Sequence, residues 1–272
     1  MRAWLIALLA LPFSLLAEER VVSIGGDITE IVYALGAQNT LVARDTTSLR
    51  PALATKLPDV GYMRQLNAEG ILAMRPTLVL ASELSKPSLA LTQVEKAGVK
   101  VVMLTGEPAL AAIPDKIRAV ARALHREEEG EALSLKLEKQ IAGLVSTPLP
   151  VKVLFILNHS GMKAMGAGSG TAADGAIRSA GLINALADVP RYQPLTQEGI
   201  VASAPQLVVT GRDGLRAMGD DARLWQLPGL ALTPAGRQHN LLAIDEMDLL
   251  GFGLETPAAI ARLRKAAEAI RP

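Results

Sequence analysis

Two stretches of this chain are copies of one unit, which restricts the fold to an arrangement that is built twice. Residues 66–80 and 195–209 align without gaps at an offset of 129 residues, and 8 of the 15 positions are identical. The identities include the triplet Glu-Gly-Ile and a proline. A generic helix-then-strand pattern would match apolar classes alone, so this agreement in register predicts two related lobes.

Each copy carries the same start and stop signals for a short helix. Asn67 and Thr196 are good N-caps because their side-chain oxygens accept hydrogen bonds from the first helical turn. Pro76 and Pro205 end the helices, since proline lacks the amide hydrogen and restricts the residue before it. The mostly apolar residues after each proline predict a buried strand of a parallel sheet.

Strands and helices alternate outside the copied unit as well. Strands are predicted at residues 20–24, 77–80, 100–104, 152–157, 206–209 and 241–244, and further helices at residues 27–35 and 171–179. This alternation is typical of a mainly parallel sheet. The predicted fold class is therefore α/β, with two lobes at residues 18–113 and 148–272.

The segment between the lobes, residues 114–147, is predicted to be a single long helical bridge. Apolar residues recur there at helical spacing, with a break or kink around residues 127–130 and a second helix at residues 131–145. The chain then crosses between the lobes once. Ligands favour domain interfaces and the carboxyl edges of parallel strands, so a ligand cleft is expected between the lobes.

The N-terminus has the pattern of a secretory signal peptide. Arg2 precedes a short apolar run that ends at Ala17, and acidic residues follow. The run is short for a membrane span, which needs about 20 residues. We expect removal of residues 1–17 and export of a soluble, monomeric protein to the periplasm.

The composition excludes several classes of function. The chain has no cysteine, which excludes disulfides, thiolate metal sites and iron–sulfur clusters. Because 28 basic residues balance 27 acidic ones, nucleic acid and anionic membrane surfaces are not expected partners. An α/β hydrolase-type enzyme is an alternative, but no nucleophile elbow, phosphate-binding loop or His-Glu-x-x-His motif is present. We expect a binding protein and not an enzyme.

The loop before the first repeat helix presents an aromatic oxygen next to a cation. Tyr62 and Arg64 are two residues apart, so they share a face if the loop is extended. A nearby cation favours the charged form of an acidic side chain, and a tyrosine oxygen is a known axial ligand of haem iron. The alternative is that Tyr62 packs on the lobe surface while Arg64 is stacked or solvated.

The second lobe offers a matching loop after its first strand. His159 lies at the end of that strand, where a neutral imidazole would face Tyr62 across the cleft as a second iron ligand. The alternative is a hydrogen-bonded structural histidine. Met162 would supply soft, adaptable contact to a ligand, or it would fill the core.

Several motifs together resemble the haem-binding periplasmic proteins of bacterial haem ABC importers. They are residues 61–72, 168–174, 227–236 and 249–253, and the resemblance covers nearly the whole mature chain. It implies a helix-bridged, two-lobe fold of the class that also binds cobalamin and ferric siderophores. It further implies Tyr62 as the axial iron ligand, Arg64 as its neighbour, and His159 at a position that some relatives use.

The same resemblance implies a partner. Proteins of this family dock on the permease through one glutamate in each lobe, and Glu69 and Glu198, the duplicated glutamates of the repeat, match those positions. The competing explanation is that an acid in the first turn stabilises its helix through the dipole, by about 0.3–1 kcal/mol. The partners of the haem propionates are open among four loop cations, with Arg212 ranked first because its loop follows a second-lobe strand. The four are Lys86, Lys163, Arg212 and Arg237.

The expected function is delivery of haem to an ABC importer, whose permease is the protein's one link to the membrane. Cobalamin or a ferric siderophore in the same fold is the alternative. Tyr62 with Arg64 favours haem, because a siderophore already fills the coordination shell of its iron. One or two bound haems are both compatible with the sequence.

Overall fold

The computed structural model describes residues 19–158 and 163–270, so the predicted signal peptide lies outside the described residues. The first lobe contains β1 (Val21–Ile24), α1 (Gly26–Ala34), β2 (Leu41–Arg44), α2 (Ala68–Ala73), β3 (Leu78–Ser82), α3 (Leu89–Lys96) and β4 (Lys100–Leu104). Short 3-10 helices lie at Gln38–Thr40, Ala52–Lys56 and Glu83–Ser85. The four strands are parallel, in the order β2-β1-β3-β4. Every residue of β1 and β3 is buried, because both faces of the sheet are covered.

Two helices connect the lobes: α4 (Ala112–Ala123) and α5 (Glu127–Ala142). They fold back on each other, and Ser134 of α5 donates a hydrogen bond to the carbonyl of Pro114 in α4 at 3.2 Å. A Cβ at Gly130 would lie only 2.2 Å from the Cβ of Ala121, so glycine permits this close approach. The bridge is thus a packed helix pair. Its break comes before residue 127, at a left-handed His125, and the predicted break at 127–130 was placed too late.

The second lobe has a larger sheet of mixed direction. It contains β5 (Lys152–Leu157), β6 (Met165–Ala167), α6 (Ala172–Ser179), β7 (Ile183–Asn184), β8 (Tyr192–Pro194), α7 (Gln197–Ser203), β9 (Leu207–Gly211), α8 (Arg212–Met218), α9 (Asp221–Trp225), α10 (Pro234–Gln238), β10 (Leu241–Ile244), α11 (Glu246–Leu250) and α12 (Thr256–Glu268), with a 3-10 helix at Leu230–Leu232. Strands β7, β5, β9 and β10 are parallel neighbours. Strands β6 and β8 extend the sheet in antiparallel pairing from the carboxyl end of β5.

The duplicated unit folds the same way in both lobes. Asn67 caps α2 by accepting hydrogen bonds from two backbone amides, and Thr196 caps α7 by accepting one. Both predicted caps are therefore confirmed. The residue before each proline has a left-handed backbone, with φ of 48° at Arg75 and 45° at Ala204. Because these two residues are also 129 positions apart, the repeat extends to an unusual backbone conformation.

The largest hydrophobic cluster among the described residues spans both lobes and the helix pair, and each lobe has a smaller cluster of its own. A single cluster of buried side chains includes Val21 of β1, Ile117 of α4, Phe155 of β5 and Ile260 of α12. Helix α4 contacts α1 of the first lobe, and α5 contacts α12 of the second. The two lobes are therefore held together through the helices as well as by the chain itself.

Buried charges reinforce this junction. The ammonium of Lys116 in α4 pairs with Asp27 of α1 and donates a hydrogen bond to the carbonyl of Phe252 at 3.1 Å. Lys116 is 2% exposed, so these contacts replace its lost hydration. One side chain thus ties the helix pair to both lobes.

A second ion-pair network crosses the junction nearer its surface. Arg50 of the first lobe pairs with Glu30 of α1 at 2.8 Å and with Asp248 of α11 in the second lobe. Arg262 of α12 also pairs with Asp248, at 2.9 Å. The network ties first-lobe and second-lobe elements by charge.

In the part of the chain that the structure describes, no helix combines the length and the apolar character that crossing a membrane requires.

Candidate functional site

The loop that carries Tyr62 forms a tight turn. The amide of Gln65 donates a hydrogen bond to the carbonyl of Tyr62 at 2.7 Å, so the loop is not extended as expected. Met63 points into the core of the first lobe and is 8% exposed, whereas Tyr62 is 41% exposed and Arg64 is also exposed. The phenol and the guanidinium are therefore both exposed to solvent, but because of the tight turn and not because the loop is extended.

One carboxylate fixes the start of this turn. Asp59 pairs with the guanidinium of Arg44 at 2.7 Å and accepts hydrogen bonds from the hydroxyl of Thr46 at 3.2 Å and the amide of Gly61 at 2.8 Å. The amide of Thr46 in turn donates to the carbonyl of Gly61 at 3.0 Å. Gly61 has φ of 100°, a conformation that favours glycine. The turn is therefore held by the end of β2, and its exposed side chains start from a fixed backbone.

A cavity lies beside Arg64 at the carboxyl end of β3. Its volume is about 470 Å³, and it is lined by Arg64, Glu83, Leu84, Ser85, Lys86 and Pro87. Lys86 pairs with Glu83 at 3.0 Å, and both side chains are about half exposed. Two cations and one acid therefore line this part of the first lobe.

The second lobe contains a tyrosine that the sequence argument missed and whose pKa responds to the charge of Arg64. Burial raises the pKa of Tyr192 to about 12, the charge of Glu246 also raises it, and the charge of Arg64 lowers it. Arg64 and Tyr192 belong to different lobes, so this charge acts across the cleft. Glu246 begins α11 directly after β10 and lies against Gly211 at the end of β9. Glu246 thus lies at the carboxyl edge of the second sheet, whereas Tyr192 begins β8 opposite Ala167 and packs against the core.

A sequence signal for Tyr192 does exist. Tyr192 precedes the second repeat helix by five residues, and Tyr62 precedes the first by six. The two tyrosines miss exact register at the repeat offset by one residue, because Arg191 is the residue 129 positions after Tyr62. Comparing the residues just before each copy would have identified Tyr192.

The predicted loop cations do not gather in one place. Of the four, Lys86 lines the cavity with Arg64. Arg212 was expected in a loop but is the first residue of α8. It is exposed at the carboxyl end of β9. Arg237 in α10 donates to the carbonyl of Leu232 at 2.6 Å. It precedes β10 and lies at the opposite, amino edge of the sheet, so it is not a cleft residue. Lys163 is exposed just before β6.

The remaining predicted site residues have different outcomes. His159 and Met162 lie outside the described residues. Glu69 and Glu198 are exposed in the first turns of α2 and α7, as their place in the repeat predicts. Within residues 19–158 and 163–270, no group of three or more His, Asp or Glu side chains could hold a metal ion. An exposed phenol beside a guanidinium instead suits a ligand that brings its own metal and its own negative charge.

Two α/β lobes on a helix pair, with facing polar groups at their carboxyl edges, define a two-lobe ligand-binding protein. The comparison with known families agrees with that class. The periplasmic binding protein family matches residues 21–247, and the chain belongs to this family.

Solved structures of similar proteins cover almost the whole chain. The apo form of RhuT, a periplasmic haem-binding protein from Roseiflexus sp. RS-1, is 38% identical, with a TM-score of 0.87 over 93% of this chain and 100% of that chain. BhuT, a periplasmic haem-binding protein in complex with two haems, is 39% identical, with a TM-score of 0.85 over 93% of this chain and 99% of that one. A periplasmic haem-binding protein from Pseudomonas aeruginosa is 32% identical, with a TM-score of 0.79 over 93% and 94%.

Curated relatives found by sequence point to a second ligand. The vitamin B12-binding protein of Pectobacterium atrosepticum is 31% identical over 141 residues, which are 52% of this chain and 50% of that protein. The corresponding protein of Pectobacterium carotovorum is 31% identical over 53% of this chain and 52% of its own length. The match therefore spans about half the length of these curated relatives.

Proposed function

We propose that this chain is a periplasmic haem-binding protein of an ABC importer, and that Tyr62 ligates the ferric iron. The observation that carries the proposal is an exposed phenol beside Arg64, on a turn that Asp59 holds in place. Tyr62 is 41% exposed, so part of its ring is open to a ligand. The similarity to RhuT and BhuT over more than nine-tenths of the chain supports haem as the ligand.

Iron and the neighbouring cation act together in this proposal. Ferric iron is a strong local charge that favours an anionic ligand oxygen. Arg64 adds positive charge two residues away, on the outward side of the turn. The phenolate would then be the axial ligand, as tyrosine is in other haem proteins.

The test is a hemin titration of the protein without residues 1–17. We expect Tyr62→Phe to abolish the tyrosinate-to-iron charge-transfer band and to weaken binding by about tenfold or more, or at least about 1.4 kcal/mol. The matched control is Tyr33→Phe, which removes a hydroxyl from a half-buried tyrosine of α1. An unchanged spectrum and affinity in Tyr62→Phe would show that another residue binds the iron.

A ligand from the second lobe is the next part of the proposal. His159, with Met162 as a contact residue, would bind either the second face of one haem or a second haem. The complex of BhuT with two haems makes the stoichiometry worth measuring. His159→Ala should change the ferric spectrum or the number of haems bound. If both stay as in the unsubstituted protein, His159 has a structural role.

Cobalamin is the second candidate ligand, because the relatives from Pectobacterium are named vitamin B12-binding proteins. It would not need a phenolate, because in cyanocobalamin cyanide and the ligand's own nucleotide base already fill both axial positions of the cobalt. A titration with cyanocobalamin, monitored by tryptophan fluorescence, separates the two ligands. Micromolar binding of cyanocobalamin with no binding of hemin would replace the haem proposal.

The partner in this proposal is a permease, contacted through Glu69 and Glu198. Both are exposed acids at equivalent positions of the two repeat helices. Exposed charge pairs are individually weak, so two such contacts would fix register more than they add affinity. Both helices already have caps, so their stability does not depend on the acids alone.

Reversal of both acids to lysine tests this docking role. We expect Glu69→Lys with Glu198→Lys to leave hemin affinity and thermal stability nearly unchanged and to abolish haem transfer to vesicles that contain the transporter. The control is Glu95→Lys on α3 with Glu128→Lys on α5, both exposed acids. Transfer at the unsubstituted rate would leave the helix dipole as the role of these acids, and lost hemin binding would place them in the cleft.

A further inference from the structure

We propose that the ion-pair network between the lobes is a proton-responsive latch, which holds the lobes together more firmly in acid and loosens as the pH rises through neutrality. Its parts are Glu30 of α1 and Arg50 in the first lobe, and Asp248 of α11 and Arg262 of α12 in the second. The latch goes beyond the proposed function, because it does not depend on which ligand the cleft holds.

The first observation is the place of the network in the fold. Arg50 follows β2 and α11 follows β10, so both sides of the network lie beyond the carboxyl ends of strands. Each of these strands is the edge strand of its sheet. The network therefore joins the two sheets at the margin of the carboxyl edges between which the cleft is expected. Loosening it would let those edges move apart.

The second observation is that Glu30 is enclosed between the lobes. Its carboxylate pairs with Arg50 at 2.8 Å, and its side chain is 14% exposed. A Cβ at Gly253 of the second lobe would lie 3.6 Å from a carboxylate oxygen of Glu30 and 3.2 Å from the Cβ of Asp27. The backbone of the second lobe thus packs directly on this face of α1, and separation of the lobes would return Glu30 to water.

The third observation is an excess of acidic groups at the junction. Lys116 is engaged by Asp27, whereas Arg50 is shared between Glu30 and two acids of the second lobe, Asp248 and, at 3.9 Å, Asp245. When Glu30 is ionised, second-lobe acids therefore repel it across the junction. Among the described residues, five acids meet three cations here: Asp27, Glu30, Asp245, Asp248 and Glu255 against Arg50, Lys116 and Arg262.

The direction of the pH effect follows from these contacts. Burial raises the pKa of Glu30 from 4.5 to about 7; the charge of Arg50 lowers it, and the charges of Asp27, Asp248 and Glu255 raise it further. Separation of the lobes removes part of this burial and the two second-lobe charges, so it moves the pKa back towards 4.5. The closed junction then binds the proton more tightly, and protonation stabilises it below about pH 7. With Glu30 neutral, Arg50 is left to Asp248, its partner across the junction.

The test is hydrogen exchange of peptides that contain α11, followed by mass spectrometry from pH 5.5 to pH 8.5. The amide of Gly251 donates to the carbonyl of Met247 at 3.0 Å and reports local opening of this helix. After correction for intrinsic exchange, we expect protection to fall by about threefold to 30-fold over this range; the upper value corresponds to a pKa that moves from 4.5 to 7. In Glu30→Gln, which carries no charge, protection should vary by less than about twofold.

Two further variants sharpen the comparison. Glu255→Gln removes an exposed second-lobe acid, so it should reduce the fall in protection even if Glu30→Gln does not fold. Glu95→Gln, an exposed acid of α3, is the matched control and should keep the full pH dependence. Peptides from α3 should exchange alike in all variants.

Three results would overturn the latch. The first is the same pH dependence of α11 in Glu30→Gln and in the unsubstituted protein. The second is a change in protection confined to α1, which would place the effect of the proton inside the first lobe. The third is a parallel loss of protection in α3 and α11, which would mean that the whole protein unfolds and that the lobes do not open at their junction.

Discussion

In the first lobe the strands lie in the order β2-β1-β3-β4, and in the second lobe four parallel strands repeat that order as β7-β5-β9-β10. The repeat helix precedes the third strand of each set and is capped in each. The second lobe then adds β6 and β8, which have no counterpart in the first sheet. This addition contains Tyr192, whose pKa the charge of Arg64 in the first lobe lowers.

The segments before the two repeat helices also differ, in whether an aspartate holds a turn. Both contain an Asp-Val pair at the repeat offset: Asp59 with Val60, and Asp188 with Val189. Asp59 is the anchor of the turn that presents Tyr62. Asp188 is exposed and, among the described residues, makes no hydrogen bond or ion pair. The Asp-Val pair is thus present in both copies, but the carboxylate of Asp59 holds a turn and that of Asp188, in the described part of the chain, does not.

The largest expected effect is on the free energy of unfolding, and it tests the contact by which Lys116 joins the two lobes. Lys116→Met leaves Asp27 buried without a partner and frees the carbonyl of Phe252, so we expect it to lower the free energy of unfolding by about 3–5 kcal/mol. Urea denaturation measures this. Adding Asp27→Asn should recover part of the loss, because it removes the unpaired charge. Lys136→Met, on the exposed face of α5, should stay within about 0.5 kcal/mol. A loss below about 1 kcal/mol for Lys116→Met would mean that the lobes are held without this contact.

The next effect concerns a difference between the first helices of the two lobes, namely the environment of their acidic side chains. The acid of α6, Asp174, is bonded within its own lobe, to Asn184 at 3.0 Å. In α1, burial raises the pKa of Glu30 from 4.5 to about 7; the charges of Asp27, Asp248 and Glu255 also raise it, and that of Arg50 lowers it.

A raised carboxyl pKa means that the folded state binds more protons than the unfolded state between pH 4.5 and 7. Glu30 therefore makes the free energy of unfolding fall as the pH rises through this window, by at most roughly 3 kcal/mol. Glu30→Gln removes this slope, so its stability relative to the unsubstituted protein should increase from pH 4.5 to pH 8. Parallel stability profiles from denaturation at several pH values would contradict the raised pKa.

The smallest effect compares the two Asp-Val pairs directly. Asp59→Ala removes one ion pair and two hydrogen bonds, so we expect a loss of about 1–3 kcal/mol in stability. Hemin affinity should fall as well, because the turn that presents Tyr62 loosens. Asp188→Ala should change stability by less than about 0.5 kcal/mol. Equal effects of the two substitutions, measured by thermal unfolding and hemin titration, would mean that the turn does not depend on its carboxylate anchor.

Much of the fold follows from patterns that span fewer than about 20 residues. The strands at 100–104, 152–157 and 241–244 are predicted to the residue, and the other three predicted strands lie within two residues of their observed bounds. The bridge shows the limit, because Gly130 lets the second helix pack closely against Ala121 of the first. That contact joins residues of two helices, and helical periodicity within one segment does not reveal it.

By itself the sequence determined the duplication, the alternation of strands and helices, the helix caps, and the choice of Tyr62 and Arg64 as neighbours worth attention. These features depend on residues close together in the chain, where local hydrogen bonding and apolar spacing decide the outcome. Only the tertiary structure decided that Lys86 lines one cavity with Arg64, that Arg237 lies at the opposite edge of its sheet, and that Asp59 holds the turn. Those relations join residues far apart in sequence, and packing of the sheets and the helix pair brings them together.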